Sequence, residues 1–186
     1  MKIKLVLALA NPGAGYKNTY HSVGAMLLEY LLQKSTESDG ARVPAPKKIA
    51  GGKYFKAGGL ILALSDNYMN ESGRSALAFL KFFKIQPAEM LVLHDDSDLS
   101  VGEYNLVFGR GAAGHHGVES IIASLNTKKF WRLRIGIRDI SLDKNTRKKA
   151  GEFVLKKISH AHKEKFYSVF ADAVAEIRKL TEKDMF

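Results

Sequence analysis

The run Ile3 to Ala10 constrains the fold more than any other stretch: it is short, unbroken and apolar, and Asn11-Pro12-Gly13 closes it. An alternating pattern would mark a strand wet on one face, whereas a continuous run of this length marks a strand covered on both. Helices must then lie above and below a sheet. Met90 to Leu93 repeats the pattern and delivers His94-Asp95-Asp96 to its C-terminal end, and Phe130 to Ile137 reads as a third core strand. Between these runs the spacing turns helical. From His21 onward, Val23, Met26, Leu27, Tyr30 and Leu31 recur every three or four residues, so a helix is expected to about Gln33, then a loop over 34–46.

Lys47 to Phe55 and Gly59 to Ser65 read as two strands joined around Ala57-Gly58-Gly59. Ser72 is expected to cap a helix through Lys84, ended by Gln86-Pro87. Glu103 to Phe108 forms a further strand, followed by the glycine-rich 109–114 and a helix from about His116 to Leu125. After a polar stretch, Arg138 to Lys148, a last helix runs from about Ser159 to Thr181. Strands alternating with helices predict an α/β fold: one domain over 1–186, with a twisted mixed, mostly parallel sheet flanked by helices. Sites in such sheets form beyond the carboxyl ends of strands, where Asn11 and Asp95 both fall.

Composition narrows the chemistry. With 46% hydrophobic and 26% charged residues the chain is globular, and without cysteine it has no disulfide, thiolate zinc or thiol redox chemistry. Its N-terminal apolar run is too short for a signal peptide, and no window approaches the roughly 20 apolar residues that span a bilayer. A cytoplasmic, monomeric protein without a membrane partner is expected. Charge is uneven: residues 1–126 carry 13 Lys/Arg and 11 Asp/Glu, whereas 127–186 carry 16 and 8. A basic C-terminal third suits a polyanion, because each neutralised phosphate releases counterions; a solvated basic helix face is the plain alternative.

Four polar residues lie at strand ends and turns: Asn11, His21, Asn70 and Asp95. Taken singly, each has an ordinary explanation as a cap or turn residue. Together they offer chemistry. A histidine with one nitrogen held by a carboxylate has a fixed tautomer and a second nitrogen free to take a proton from water. A nearby amide can donate to a carbonyl as charge develops on it.

The chain resembles the bacterial-type peptidyl-tRNA hydrolases over nearly its whole length. Asn11-Pro12-Gly13-x-x-Tyr16-x-x-Thr19-x-His21-x-x-Gly24 matches that family's opening signature, and Tyr68-Met69-Asn70-x-Ser72-Gly73 its second motif. His94-Asp95-Asp96-x-Asp98-Leu99, Gly114-His115-x-Gly117 and Arg132-Leu133-Arg134-Ile135-Gly136-Ile137 match three more. The resemblance implies that family's α/β fold and hydrolysis of the ester joining a peptide to the 3′ ribose of tRNA, with no cofactor and no metal. His21 would be the general base, Asp95 its orienting partner, and Asn70 would position the reacting groups. Asn11, Tyr16, Tyr68, Met69, His115 and His116 would bind substrate. Arg132, Arg134, Lys128 and Lys129 would meet the acceptor end and 5′ phosphate region of the tRNA.

The chain also departs from that pattern. His116 stands where the family usually has an Asn, and it is expected to take over that amide's hydrogen bond. Ser22 replaces an Asn, Tyr20 an Arg, and Val107 falls near a phosphate-binding Lys. Leu64-Ser65-Asp66-Asn67 replaces a Lys-Pro-x-Thr, and Arg138-Asp139 a Gly-Arg-Pro turn. These changes motivate a rival reading, a non-catalytic RNA-binding relative that keeps the fold.

Other classes fare worse. Gly13-Ala14-Gly15 after a strand suggests a dinucleotide site, but Asn18 holds the place of the third glycine. No Gly-x-Ser-x-Gly elbow is present. The metal candidates, His115-His116 and His160-x-His162, are poorly spaced for one ion.

Overall fold

The computed structural model describes residues 2–37, 42–57, 59–139 and 153–181. Its strands are β1 (Leu5–Ala8), β2 (Lys47–Ile49), β3 (Gly52–Ala57), β4 (Leu60–Ser65), β5 (Met90–Ser100), β6 (Tyr104–Phe108) and β7 (Trp131–Arg138). They form one sheet in the order β2-β3-β4-β1-β5-β7-β6. The central four, β4-β1-β5-β7, are parallel; the β2-β3-β4 edge and the β6-β7 edge are antiparallel. This is the expected α/β fold with a mixed sheet.

Four helices cover the sheet: α1 (Val23–Glu37), α2 (Ser72–Phe83), α3 (His116–Leu125) and α4 (His160–Leu180). Side chains of a strand alternate between faces, so β1 sends Val6 and Ala8 to one core and Leu5 and Leu7 to the other. The first core packs Leu27 and Leu31 of α1 with Phe166, Phe170 and Ile177 of α4. The second packs Phe79 and Leu80 of α2 with Val118 and Ile121 of α3. Each such fully buried side chain contributes about 1.5–3 kcal/mol of transfer free energy, which is why the central runs are apolar throughout.

Several boundaries differ from expectation. The stretch Lys47 to Phe55 is two strands rather than one, a hairpin turned at Gly51 and Gly52 with φ of 109° and 150°. Helix α1 continues past Gln33 to Glu37, its polar last turn held by Ser35 and Thr36 hydroxyls donating to the Leu32 and Gln33 carbonyls. Strand β5 extends to Ser100, so His94, Asp95 and Asp96 lie within it, paired with β7, and not beyond its end. Ser72 is the first residue of α2 rather than its cap, and its hydroxyl donates to the Met69 carbonyl. Gly58 and residues 140–148 of the expected polar segment lie outside the described residues.

One glycine fixes where α1 sits. A Cβ at Gly24 would lie 2.4 Å from the Leu93 carbonyl oxygen, so only glycine lets the start of α1 rest on β5. That contact places the turn just before α1 against the strand carrying Asp95.

Candidate active site

His21 lies in a 3-10 turn, Tyr20–Ser22, immediately before α1. Its Nδ1 is 2.8 Å from Asp95 Oδ1. A carboxylate only accepts, so the proton sits on Nδ1 and the lone pair on Nε2. The His21 side chain is 13% exposed and that of Asp95 4%. The ring therefore joins a buried anion on one side to solvent on the other.

Asp95 has a second partner, His115, which was expected on the substrate side of the site and not as a partner of the carboxylate. His115 Nε2 lies 3.1 Å from the same Oδ1, while His115 Nδ1 accepts from the Val118 N–H at 3.3 Å and caps α3. An Nδ1 that accepts carries no proton, so His115 is neutral and donates from Nε2. Burial works to raise the Asp95 pKa, but the electrostatic pull and hydrogen bond of the His115 N–H, with those of His21, hold the carboxyl well below the usual carboxylate range. Behind them His94 is fully buried, its ring 4.7 Å edge-on from that of His115, and its Nδ1 is 2.7 Å from the Asp95 carbonyl oxygen. Burial, then the neighbouring His115, push its pKa well down, so it stays neutral and donates to that carbonyl.

The nearest ligand atoms of His21, Asp95 and His115 all lie within 4.8 Å of one another. This is a different trio from the histidine pairs considered from sequence. The donor set suits hydrogen bonding better than a metal: an ion would have to displace both ring protons, and His115 would then need its proton on Nδ1, where the Val118 N–H already points.

The remaining expected residues lie in several settings. Asn11 accepts from the Met69 N–H through Oδ1 at 2.7 Å, tying the loop after β1 to the turn after β4. Met69 is buried, and Asn70 beside it is exposed, its amide without a hydrogen-bond partner among the described residues. Tyr16 and Tyr68 meet edge to face at 6.4 Å, with Tyr68 exposed. Asn11 and Tyr16 also line a cavity of about 350 Å3 with Ser22, Met26, Leu64 and Asp66. A Cβ at Gly117 would meet Met69 Sδ at 2.6 Å, so a larger residue at the start of α3 would push the Met69 side chain aside. His116 points outward, 77% exposed, with Nδ1 at 3.2 Å from Glu119 Oε2.

The arginines divide. Arg134 is half-buried and donates from Nε to Asp96 Oδ2 at 2.6 Å. Arg132, expected as a surface contact, is 1% exposed; its Nη2 donates to the Gly111 carbonyl, and Nε and Nη1 have no partner among the described residues. Both line a cavity of about 460 Å3 with Asn105, Val107, Arg110, Gly111 and Ala113. Lys128 and Lys129 are exposed just ahead of β7, at the end of the sheet opposite His21.

A histidine bonded to a buried carboxylate can take a proton from water or from a substrate group through its second nitrogen. A family model described as peptidyl-tRNA hydrolase matches residues 5–186. A peptidyl-tRNA hydrolase of Lactobacillus delbrueckii subsp. bulgaricus is 43% identical over 140 residues, 73% of this chain and 72% of the relative. One of Mycobacterium tuberculosis is 36% identical over 182 residues, 97% and 92% respectively. The crystal structure of peptidyl-tRNA hydrolase from Acinetobacter baumannii, 27% identical, superposes with a TM-score of 0.76 over 97% of this chain and 89% of that one. The chain belongs to the peptidyl-tRNA hydrolase family.

Proposed function

We propose that the protein hydrolyses the ester between a peptide, or an N-blocked amino acid, and the 3′-terminal ribose of tRNA, with His21 as general base. The observation that carries this is the 2.8 Å His21–Asp95 bond, with His21 open to solvent. Nε2 takes a proton from water as the water oxygen attacks the ester carbonyl carbon. The tetrahedral intermediate collapses by expelling the ribose oxygen, which receives that proton, and the peptide leaves as its acid. Asp95 stabilises the imidazolium formed in between. The exposed Asn70 amide, without a hydrogen-bond partner among the described residues, would orient the reacting groups. Asn11, Tyr16, Tyr68, Met69, His115 and His116 belong to the substrate side of the site, with the peptide running over the cavity that Asn11 and Tyr16 line.

The tRNA side is the arginine cavity. Arg134 and the exposed Arg110 line it together with buried Arg132, whose charge adds to theirs, a setting that favours a phosphate of the acceptor end and 5′ region. Lys128 and Lys129 extend this basic surface. On this reading residues 1–186 act as one domain, as a monomer in the cytoplasm, which light scattering checks for the oligomeric state.

The test is incubation with an N-acyl-aminoacyl-tRNA while free tRNA is followed. His21→Ala is expected to abolish release. Turnover surviving that change would refute the assignment, and a salt-dependent complex without cleavage by the unaltered protein would mark the non-catalytic binding relative instead.

A further inference from the structure

We propose that Tyr20 and His162 are positioning residues for the catalytic base: the hydrogen bond between them fixes the turn that carries His21 to the start of α4. This rests on His21 being the base.

Tyr20 directly precedes His21 in the 3-10 turn. Successive residues there project about 120° apart, so the two side chains leave the backbone in different directions. While Asp95 holds the His21 ring from β5, Tyr20 Oη lies 2.6 Å from His162 Nδ1. His162 Nε2 lies 3.3 Å from Asp139 Oδ2, next to the last residue of β7. The Tyr20 ring packs edge-on against Phe153, Phe166 and His162 at 6.0, 6.4 and 5.8 Å. Burial raises the Tyr20 pKa, partly offset by hydrogen bonding at Ser159, so the phenol keeps its proton and donates to Nδ1. With Nδ1 accepting from the phenol, the ring proton lies on Nε2, toward Asp139.

The backbone ties the same two segments. His21 N–H donates to the Val154 carbonyl at 2.8 Å, Tyr20 N–H to Lys156 at 3.2 Å, and Ile158 N–H to Asn18 at 2.9 Å, around an antiparallel bridge between Thr19 and Lys157. Lys157 Nζ donates to the Gly15 and Lys17 carbonyls. These bonds set the strap against the turn but leave its rotation about the chain direction to side chains. On one side that rotation is set by Asp95, on the other by the Tyr20–His162 pair. A displacement on the order of 1 Å at a general base costs about 10²-fold in rate, so a one-sided grip is expected to show in kcat.

The experiment measures kcat and KM on N-acyl-aminoacyl-tRNA well below each variant's melting temperature, for Tyr20→Phe, His162→Ala, His162→Asn and the double variant Tyr20→Phe/His162→Ala. Tyr20→Phe keeps the ring contacts and removes only the hydroxyl. It and His162→Ala are expected to lower kcat about 5- to 30-fold with KM unchanged, the double variant no further than either. His162→Asn, whose amide oxygen falls near the place of Nδ1, is expected to recover most of the loss. His160→Ala, an exposed change in the same helical turn, is expected to leave kcat alone. The His21 Nδ1–H signal, sharp in the unaltered protein, is expected to exchange faster with water in Tyr20→Phe. A kcat within twofold of the unaltered protein for Tyr20→Phe, or a rise in KM at constant kcat, would overturn the proposal while an inactive His21→Ala leaves the general base standing. An active His21→Ala would remove both.

Discussion

Both histidine donors converge on Asp95 Oδ1, which makes Asp95→Asn an unusually clean perturbation. An asparagine with its carbonyl oxygen at the Oδ1 position still accepts from His21 and His115, so the rings keep their places and tautomers. What disappears is the negative charge. With charge centres about 4 Å apart and an effective dielectric near 20, the attraction between the His21 imidazolium and Asp95 is about 4 kcal/mol. Water at the partly exposed ring reduces this to about 3–4 kcal/mol of transition-state stabilisation, or roughly 10²- to 10³-fold in kcat. The assay is single-turnover release of tRNA under saturating enzyme, with circular dichroism to confirm the fold. A loss of threefold or less beside an inactive His21→Ala would refute the reasoning, because the carboxylate would then only hold geometry. The same pair predicts a pH signature in stability. The folded pKa of Asp95 is depressed, so its contribution is complete above the unfolded value near 3.9 and is lost as pH falls below it. The melting gap between the unaltered protein and Asp95→Asn is therefore expected to shrink as pH falls below about 4.

Three further outcomes are expected. His94 is held neutral by burial, so the unfolded chain binds an extra proton below its pKa near 6.5 and stability falls as pH drops through that point; His94→Asn, measured by melting against pH, is expected to flatten that limb. Gly24→Ala is expected to cost about 1–3 kcal/mol or more in denaturant unfolding, since its Cβ would press on the Leu93 carbonyl, and a variant as stable as the parent would disprove the contact. Arg134→Met removes the half-buried guanidinium that lines the arginine cavity: tRNA affinity is expected to weaken and its salt slope to fall by about 1. An unchanged slope would take phosphate out of the arginine cavity.

How much of this was legible depended on whether the signal was local. Ile3–Ala10 and Met90–Leu93 announced central strands because burial on both faces leaves no polar position in the run. The β2-β3 hairpin was missed because Lys47-Lys48-Ile49 and Tyr54-Phe55 both look strand-like, although Gly51-Gly52 between them was the available sign. Helix α1 overran its apolar stripe because hydroxyls bonded back to the preceding turn, which hydrophobic spacing does not register. His21 and Asp95 were readable as a pair through motif resemblance, and the structure brings them into contact. His115 was readable through its motif as a substrate-side residue, but its bond to Asp95 was not. His115 and His116 diverge because α3 starts between them: one caps the helix and turns inward to Asp95, the other faces water beside Glu119. Arg132 and Arg134 share a strand face, and nothing in their spacing told that the 109–113 segment buries one of them.

The hold on the His21 turn has a consequence in time as well as space. Residues 20 and 21 are held by the Val154 and Lys156 carbonyls and the His162 ring, more than 130 residues further along the chain. A nascent chain therefore carries the first strand and its histidine well before the groups that set that histidine's place exist.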